Sequence, residues 1–218
     1  MPFTLEQFLD VFKKYNQAVF PMQAVFYLIS LIAIDLTIKR YPKSDKTISI
    51  ILAFFWLWMG IVYHLIFFST INKAAYLFGA LFILQGVLFF YFGVFRNKLS
   101  FKLGRNIDVY EISGIILFIF ALIVYPVIGY FFGHIYPSSP TFGLPCPTTI
   151  FTFGLLLLNI RKCPVIILII PFLWSIVGFT AALQFGIFED SGLLISGLIA
   201  TSLLIYRNRI LSQKFRRM

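Results

Sequence analysis

Few side chains in this 218-residue sequence have chemistry beyond packing, and they are rare enough to name: His64, His134, Cys146 and the acidic pair Glu189 and Asp190. Imidazole, thiolate and carboxylate are ligand types for zinc or copper, so a shared transition-metal site is one reading. An open position on that metal would allow hydrolysis or redox chemistry. The spacing matches no recognised local metal motif. A bis-histidine haem through His64 and His134 would rest on two residues alone. A second set, Gln23, Asn72, Gln85, Thr148 and Gln184, is polar without charge and suits the wall of a solute cavity. The third reading is plainer: these are interfacial residues with satisfied hydrogen bonds, as is common near membrane surfaces. For the acidic pair, marking an outer turn outweighs binding a cation. Serine or cysteine hydrolysis lacks a nucleophile elbow, and no Gly-rich phosphate loop is present.

The elements that must hold these residues are apolar. The chain is 60% hydrophobic, 12% charged and 19% aromatic, with mean hydropathy +0.93. Soluble domains carry about twice that charged fraction. Lipid can solvate so much apolar surface where a soluble core of this size cannot. The spacing predicts spans at 19–38, 48–68, 74–95, 112–133, 147–162, 165–188 and 191–206. The expected architecture is an all-α integral membrane bundle of about seven transmembrane helices, forming a single domain over 1–218. Residues 1–18 are expected as an amphipathic interfacial helix, since Thr4 and Gln7 make a capping box and Leu5, Phe8, Leu9 and Phe12 share a face. The N-terminal stretch has no basic region followed by an apolar run, unlike a cleavable signal. Pro126 and Pro171 fall inside spans, where proline kinks a helix.

Charge fixes the expected orientation. Fifteen of the eighteen Lys and Arg fall in alternate gaps: Lys39, Arg40, Lys43 and Lys46; Arg96, Lys98, Lys102 and Arg105; Arg161 and Lys162; and a basic tail over 207–218 with Arg207, Arg209, Lys214, Arg216 and Arg217. The opposite gaps hold Lys13, Lys14 and Lys73. The positive-inside rule then places the N-terminus outside and the C-terminus in the cytoplasm. The net charge of +10 serves this orientation rather than nucleic-acid binding. Expected partners are the lipid bilayer and anionic lipid at the basic loops and tail, worth about 1 kcal/mol per residue near the surface. Oligomers are compatible with this pattern.

With that orientation, His64, His134, Cys146, Glu189, Asp190, Gln23 and Gln184 collect toward the outer face. The densest signal is GHIYPSSPTFGLPCPTTIFTFG, Gly133 to Gly154, with four prolines in eleven residues and no charge. A helix from Pro147 to Lys162 is about 24 Å long, against a hydrocarbon core of about 30 Å. Residues 134–147 are therefore expected as an outer loop that dips in to meet Cys146. Backbone at that depth must be buried in protein or line a wet cavity. The helix start would favour an anion and activate the Cys146 thiol. Cys163 lies about 25 Å along the helix from Cys146, beyond the roughly 7 Å a disulfide spans. Asp35 and Lys39 are spaced for a local ion pair.

Three stretches, YNQAVFPMQ (Tyr15 to Gln23), YHLIFFSTIN (Tyr63 to Asn72) and the Gly133–Gly154 segment, carry a resemblance to an uncharacterised family of bacterial polytopic inner-membrane proteins, a domain of unknown function. Departures fall at Phe20, where the family pattern has Trp, and Lys73, where it has Pro. The resemblance implies a multi-pass protein of the bacterial inner membrane, in a family with some members labelled permeases. It implies no reaction. The functional expectation is a small-solute or metal-ion permease or binding protein with an outer-facing cavity. The alternatives are a periplasm-facing metal-dependent hydrolase or redox protein, and a structural or assembly subunit.

Overall fold

The computed structural model describes residues 2–104 and 107–216. Arg105 and Arg217 of the basic pattern lie outside the described residues, as do the side chains of Lys214 and Arg216. Helix α1 (Leu5–Ala18) opens with the expected box: the Gln7 N–H donates to Thr4 Oγ1 and the Thr4 N–H to Gln7 Oε1. Then come α2 (Met22–Lys39), α3 (Ser44–Thr70), α4 (Ala75–Phe95) and α5 (Val109–Phe131). A short α6 (Pro145–Leu157) follows, then α7 (Ile166–Phe185) and, through a single 3-10 turn at Phe188–Asp190, α8 (Ser191–Arg216).

Six of these helices, α2 to α5, α7 and α8, are long and apolar enough to cross a membrane. Their outward faces say what solvates them. Ile112, Ile116, Ile119 and Ile123 on α5, and Ile166, Ile169, Leu173 and Ile176 on α7, recur at helical spacing and stay exposed. Such stripes on every long helix suit lipid, not water. The protein is therefore an all-helical, multi-pass membrane protein.

The span expected at 147–162 is represented by a 13-residue helix, about 20 Å long and shorter than the other six. Every residue from Pro147 to Leu158 is buried, so neighbouring helices enclose it. It can be short because protein meets both of its ends. At its start the Gly143 N–H donates to Thr148 Oγ1 (3.1 Å), and the Tyr15 hydroxyl donates to the Gly143 carbonyl (3.4 Å). At its far end Arg207 donates to the Leu157 carbonyl (3.0 Å) and the Lys102 N–H to the Leu158 carbonyl (3.0 Å). The loop after α4 folds in here, burying Leu99 and Phe101 and giving the Ser100 N–H to Asn159 Oδ1 (2.9 Å). Backbone groups that lipid would leave unpaired are thus satisfied from two opposite ends of the bundle.

Where α5 meets α6 the helices touch through backbone. A Cβ on Gly114 would stand 2.9 Å from the Gly154 carbonyl oxygen, which cannot rotate away. Gly114→Val is expected to cost about 1–3 kcal/mol by forcing these helices apart, read as a lowered midpoint of thermal unfolding in detergent; an unchanged midpoint would count against this contact. A π-helical turn at Phe120–Val124 precedes Pro126 and absorbs its missing N–H and bulky ring.

The basic loops gather at one end. Arg40 donates to Ser100 Oγ (3.4 Å), Arg161 to the Asn97 carbonyl, and the Leu103 N–H to the Thr37 carbonyl at the end of α2. Lys39 pairs with Asp35 at 3.0 Å, as the spacing predicts. At the opposite end sits α1. Its apolar face, expected against lipid headgroups, is covered by protein. Phe3 and Phe8 pack on Phe68 of α3, Phe8 on Phe185 of α7, and Tyr15 on Tyr63, with ring centroids 5.6–5.8 Å apart. Complementary aromatic surface on the bundle makes α1 a lid over that end.

Candidate functional site

The end beneath α1 holds two small cavities separated by the acidic pair. The larger, about 150 Å³, is walled by Phe8 and Phe12 of the lid, Tyr63 and Phe68 of α3, and Trp174 of α7, with Asn72, Cys146, Thr180 and Asp190 as its polar members. The smaller, about 120 Å³, lies between Gln23 and Tyr27 of α2, Tyr125 of α5, Tyr136 on the loop, and Glu189. Pro140 touches both.

Glu189 and Asp190 were expected to mark an outer turn. They instead point inward, with exposures of 1% and 3%. The turn at Phe188–Asp190 places them at the start of α8, where the unpaired N–H groups of a helix favour negative charge. Tyr125 donates its hydroxyl to Asp190 Oδ1 at 2.5 Å, and the Cys146 thiol lies against the same carboxyl. Glu189 Oε1 meets His134 Nδ1 at 2.8 Å. That hydrogen bond raises the His134 pKa above the ordinary histidine value, against the opposing effect of burial. Glu189 Oε2 has no partner.

A residue of α1 holds the loop that follows His134. Asn16, fully buried, donates from Nδ2 to the Pro137 carbonyl (2.7 Å) and the Ser139 carbonyl (2.9 Å). Its Oδ1 accepts from the Thr141 hydroxyl (2.7 Å) and from Gln23 Nε2 (3.3 Å). Beyond it Gly143 has φ +103, and a Cβ there would stand 2.2 Å from the Phe26 ring, so no side chain fits. The sequence reading passed over Asn16, Tyr125 and Trp174. Asn16 carried a legible signal: it follows Phe8 and Phe12 at four-residue spacing, a polar residue on an apolar face.

The three expected metal ligands do not converge. His64 is fully buried in a box of rings, with Phe82 at 4.6 Å and Trp174 at 5.1 Å between centroids, and neither nitrogen has a hydrogen-bond partner. His134 is engaged by Glu189 and Cys146 by Asp190. Among the described residues no three His, Cys, Asp or Glu side chains group so as to hold a metal ion. Cys146 sits beside a carboxyl in an apolar wall, not in the electropositive setting an activated thiol needs. Cys146 and Cys163 are both free.

The uncharged set divides similarly. Asn72 lines the larger cavity and Gln23 the smaller. Thr148 instead locks the dipping loop. Gln85 is buried, donates to the Ile167 carbonyl (3.0 Å), and lines neither cavity. Gln184 is exposed near the end of α7, away from both. The Trp174 indole N–H lies against the Cys146 sulfur, a weak acceptor, since a Cβ built on Gly178 would lie 3.6 Å and 3.3 Å from them, and it has no oxygen or nitrogen partner.

These features define a multi-pass helical membrane protein with a buried polar cluster and a lidded cavity at one end. The model of a family of unknown function, DUF6064, matches residues 5–215, and the chain belongs to that family. No curated protein and no solved structure matches it.

Proposed function

We propose that this protein crosses the bacterial inner membrane with its N-terminus outside and its C-terminus in the cytoplasm, and binds a compact, mostly apolar solute in an outward-facing cavity. The gathering of basic loops at one end supports the orientation. Counting α6 with its flanking segments as a crossing gives seven, the parity that orientation needs.

The cavity beneath α1 carries the functional reading. Its volume, about 150 Å³, resembles that of apolar cavities that admit benzene in other proteins. Its wall is apolar and rich in aromatic rings, and Asp190 and the Trp174 N–H, held only by the weak acceptor sulfur of Cys146, offer one acceptor and one donor to fix a polar group. Toward the basic end it closes on packed rings, Trp174 against Phe82 at 4.9 Å and Phe82 against Trp56 at 4.5 Å. Binding is therefore favoured over an open conduit, and permease action would require these rings to part. The metal-ion and metalloenzyme readings lack a convergent ligand set. At the cytoplasmic end, Arg96, Lys98, Arg161 and Lys162 line one groove suited to anionic lipid headgroups.

A direct test is ¹⁹F NMR titration of the detergent-purified protein with 3-fluorophenol. Saturable binding is expected, weakened at least about tenfold in Ala181→Phe, which puts a ring into the cavity. Binding that is absent, or indifferent to this variant, would refute the reading.

A further inference from the structure

The smaller cavity shows a charge imbalance that the solute reading does not use. Two adjacent carboxyl side chains, Glu189 and Asp190, are almost fully buried, and among the described residues a single basic side chain, His134, touches them. Buried charges are ordinarily paired or neutralised. Glu189 and Gln23 both line the cavity, and Glu189 Oε2 and Gln23 Oε1 have no hydrogen-bond partner, the Gln23 amide nitrogen being committed to the Asn16 carbonyl at 2.9 Å. Both free atoms are acceptors. Three tyrosines, Tyr27, Tyr125 and Tyr136, share the remaining wall with Pro126, Gly129, Ser139, Pro140 and Thr141. Their hydroxyls are committed elsewhere, to the Leu122 carbonyl, to Asp190 and to the Asn16 carbonyl. What these phenols offer a ligand is therefore ring surface.

We propose that this cavity binds the primary ammonium group of a small amine, with Glu189 Oε2 and Gln23 Oε1 accepting its N–H donors and the tyrosine rings flanking the cation. Two unpartnered acceptors favour a group that supplies several donors, and an ammonium only donates. Aromatic walls attract cations through the ring quadrupole. A hard metal ion would require about six oxygen ligands, and two free acceptors among rings do not supply them. Apart from Pro140, the site stands on different residues from the larger cavity, and neither Glu189 nor Gln23 lines that one, so either can fail alone.

The test is thermal unfolding of the full chain in detergent, titrated with methylammonium chloride against sodium chloride and tetramethylammonium chloride at matched ionic strength. A ligand specific to the folded state raises the midpoint with concentration. Methylammonium is expected to raise it saturably, at concentrations at least about tenfold below those needed for either control. Glu189→Gln, which keeps a hydrogen-bond partner for His134, is expected to abolish the shift. Tyr27→Leu, at a partly buried position that makes no hydrogen bond to that pair, is expected to weaken it about tenfold and serves if the first variant fails to fold. An equal response to sodium would overturn the assignment, as would equal binding of tetramethylammonium, which lacks N–H donors. A methylammonium shift that survives in the variants would also overturn it.

Discussion

Replacing Asn16 by alanine is expected to lower stability by about 3–5 kcal/mol. The side chain makes two donated and two accepted hydrogen bonds from a fully buried position. Each is worth about 1 kcal/mol net, and each partner left unpaired in the interior costs about 1–3 kcal/mol. The contributions are not independent, because one loop movement releases several of them. Asn16→Asp is expected to fall between, keeping the acceptor and losing both donors to the Pro137 and Ser139 carbonyls. The consequence reaches the cavities, since the 137–141 segment helps wall both. Equilibrium unfolding in mixed micelles measures the loss. A cost below about 1 kcal/mol would show that Asn16 does not anchor the loop.

The second large effect is at His134. Removing one partner of a buried ion pair leaves the other charge uncompensated, at a cost of about 3–5 kcal/mol. His134→Phe should approach that cost at pH 6, and adding Glu189→Gln should recover most of it by removing the stranded charge. The pH dependence has a definite sign. Glu189 raises the folded-state pKa of His134 above its unfolded value of about 6.5. The stabilisation is therefore complete below about pH 6.5 and is lost as pH rises through the folded pKa. Wild-type stability should fall across that window, and Glu189→Gln should flatten the slope. A wild-type profile without it would mean that the pair does not form.

Much of this was legible in residue types and spacing, for identifiable reasons. Long helices announce themselves because lipid requires continuous apolar runs, and alternating basic gaps mark the ends. The dipping loop was legible because four prolines without a charge cannot continue a helix. The length of α6 was not. The helix was expected to run to Lys162, and only the loop after α4 and Arg207, both distant in sequence, show why it stops at Leu157. The lid role of α1 was hidden because an amphipathic face looks the same whether it meets headgroups or Phe68 and Phe185. The pairing of rare residues was hidden too. His64, His134 and Cys146 share a depth, but rotation about their helices decides their neighbours, and those proved to be rings, Glu189 and Asp190.

The central claim is that the cavity under α1 takes a solute at Trp174. With three tryptophans in the chain, the ¹⁵N-labelled protein gives three indole N–H resonances, assignable with Trp174→Phe. Trp56 Nε1 is bonded to Thr152 Oγ1 (3.1 Å) and Trp58 Nε1 to the Tyr15 hydroxyl (2.9 Å), whereas Trp174 Nε1 meets only the Cys146 sulfur, a weak acceptor. On titration with 3-fluorophenol, the Trp174 resonance should move saturably and by far the most. If it stays fixed, or if all three drift together without saturation, the cavity is not a binding site.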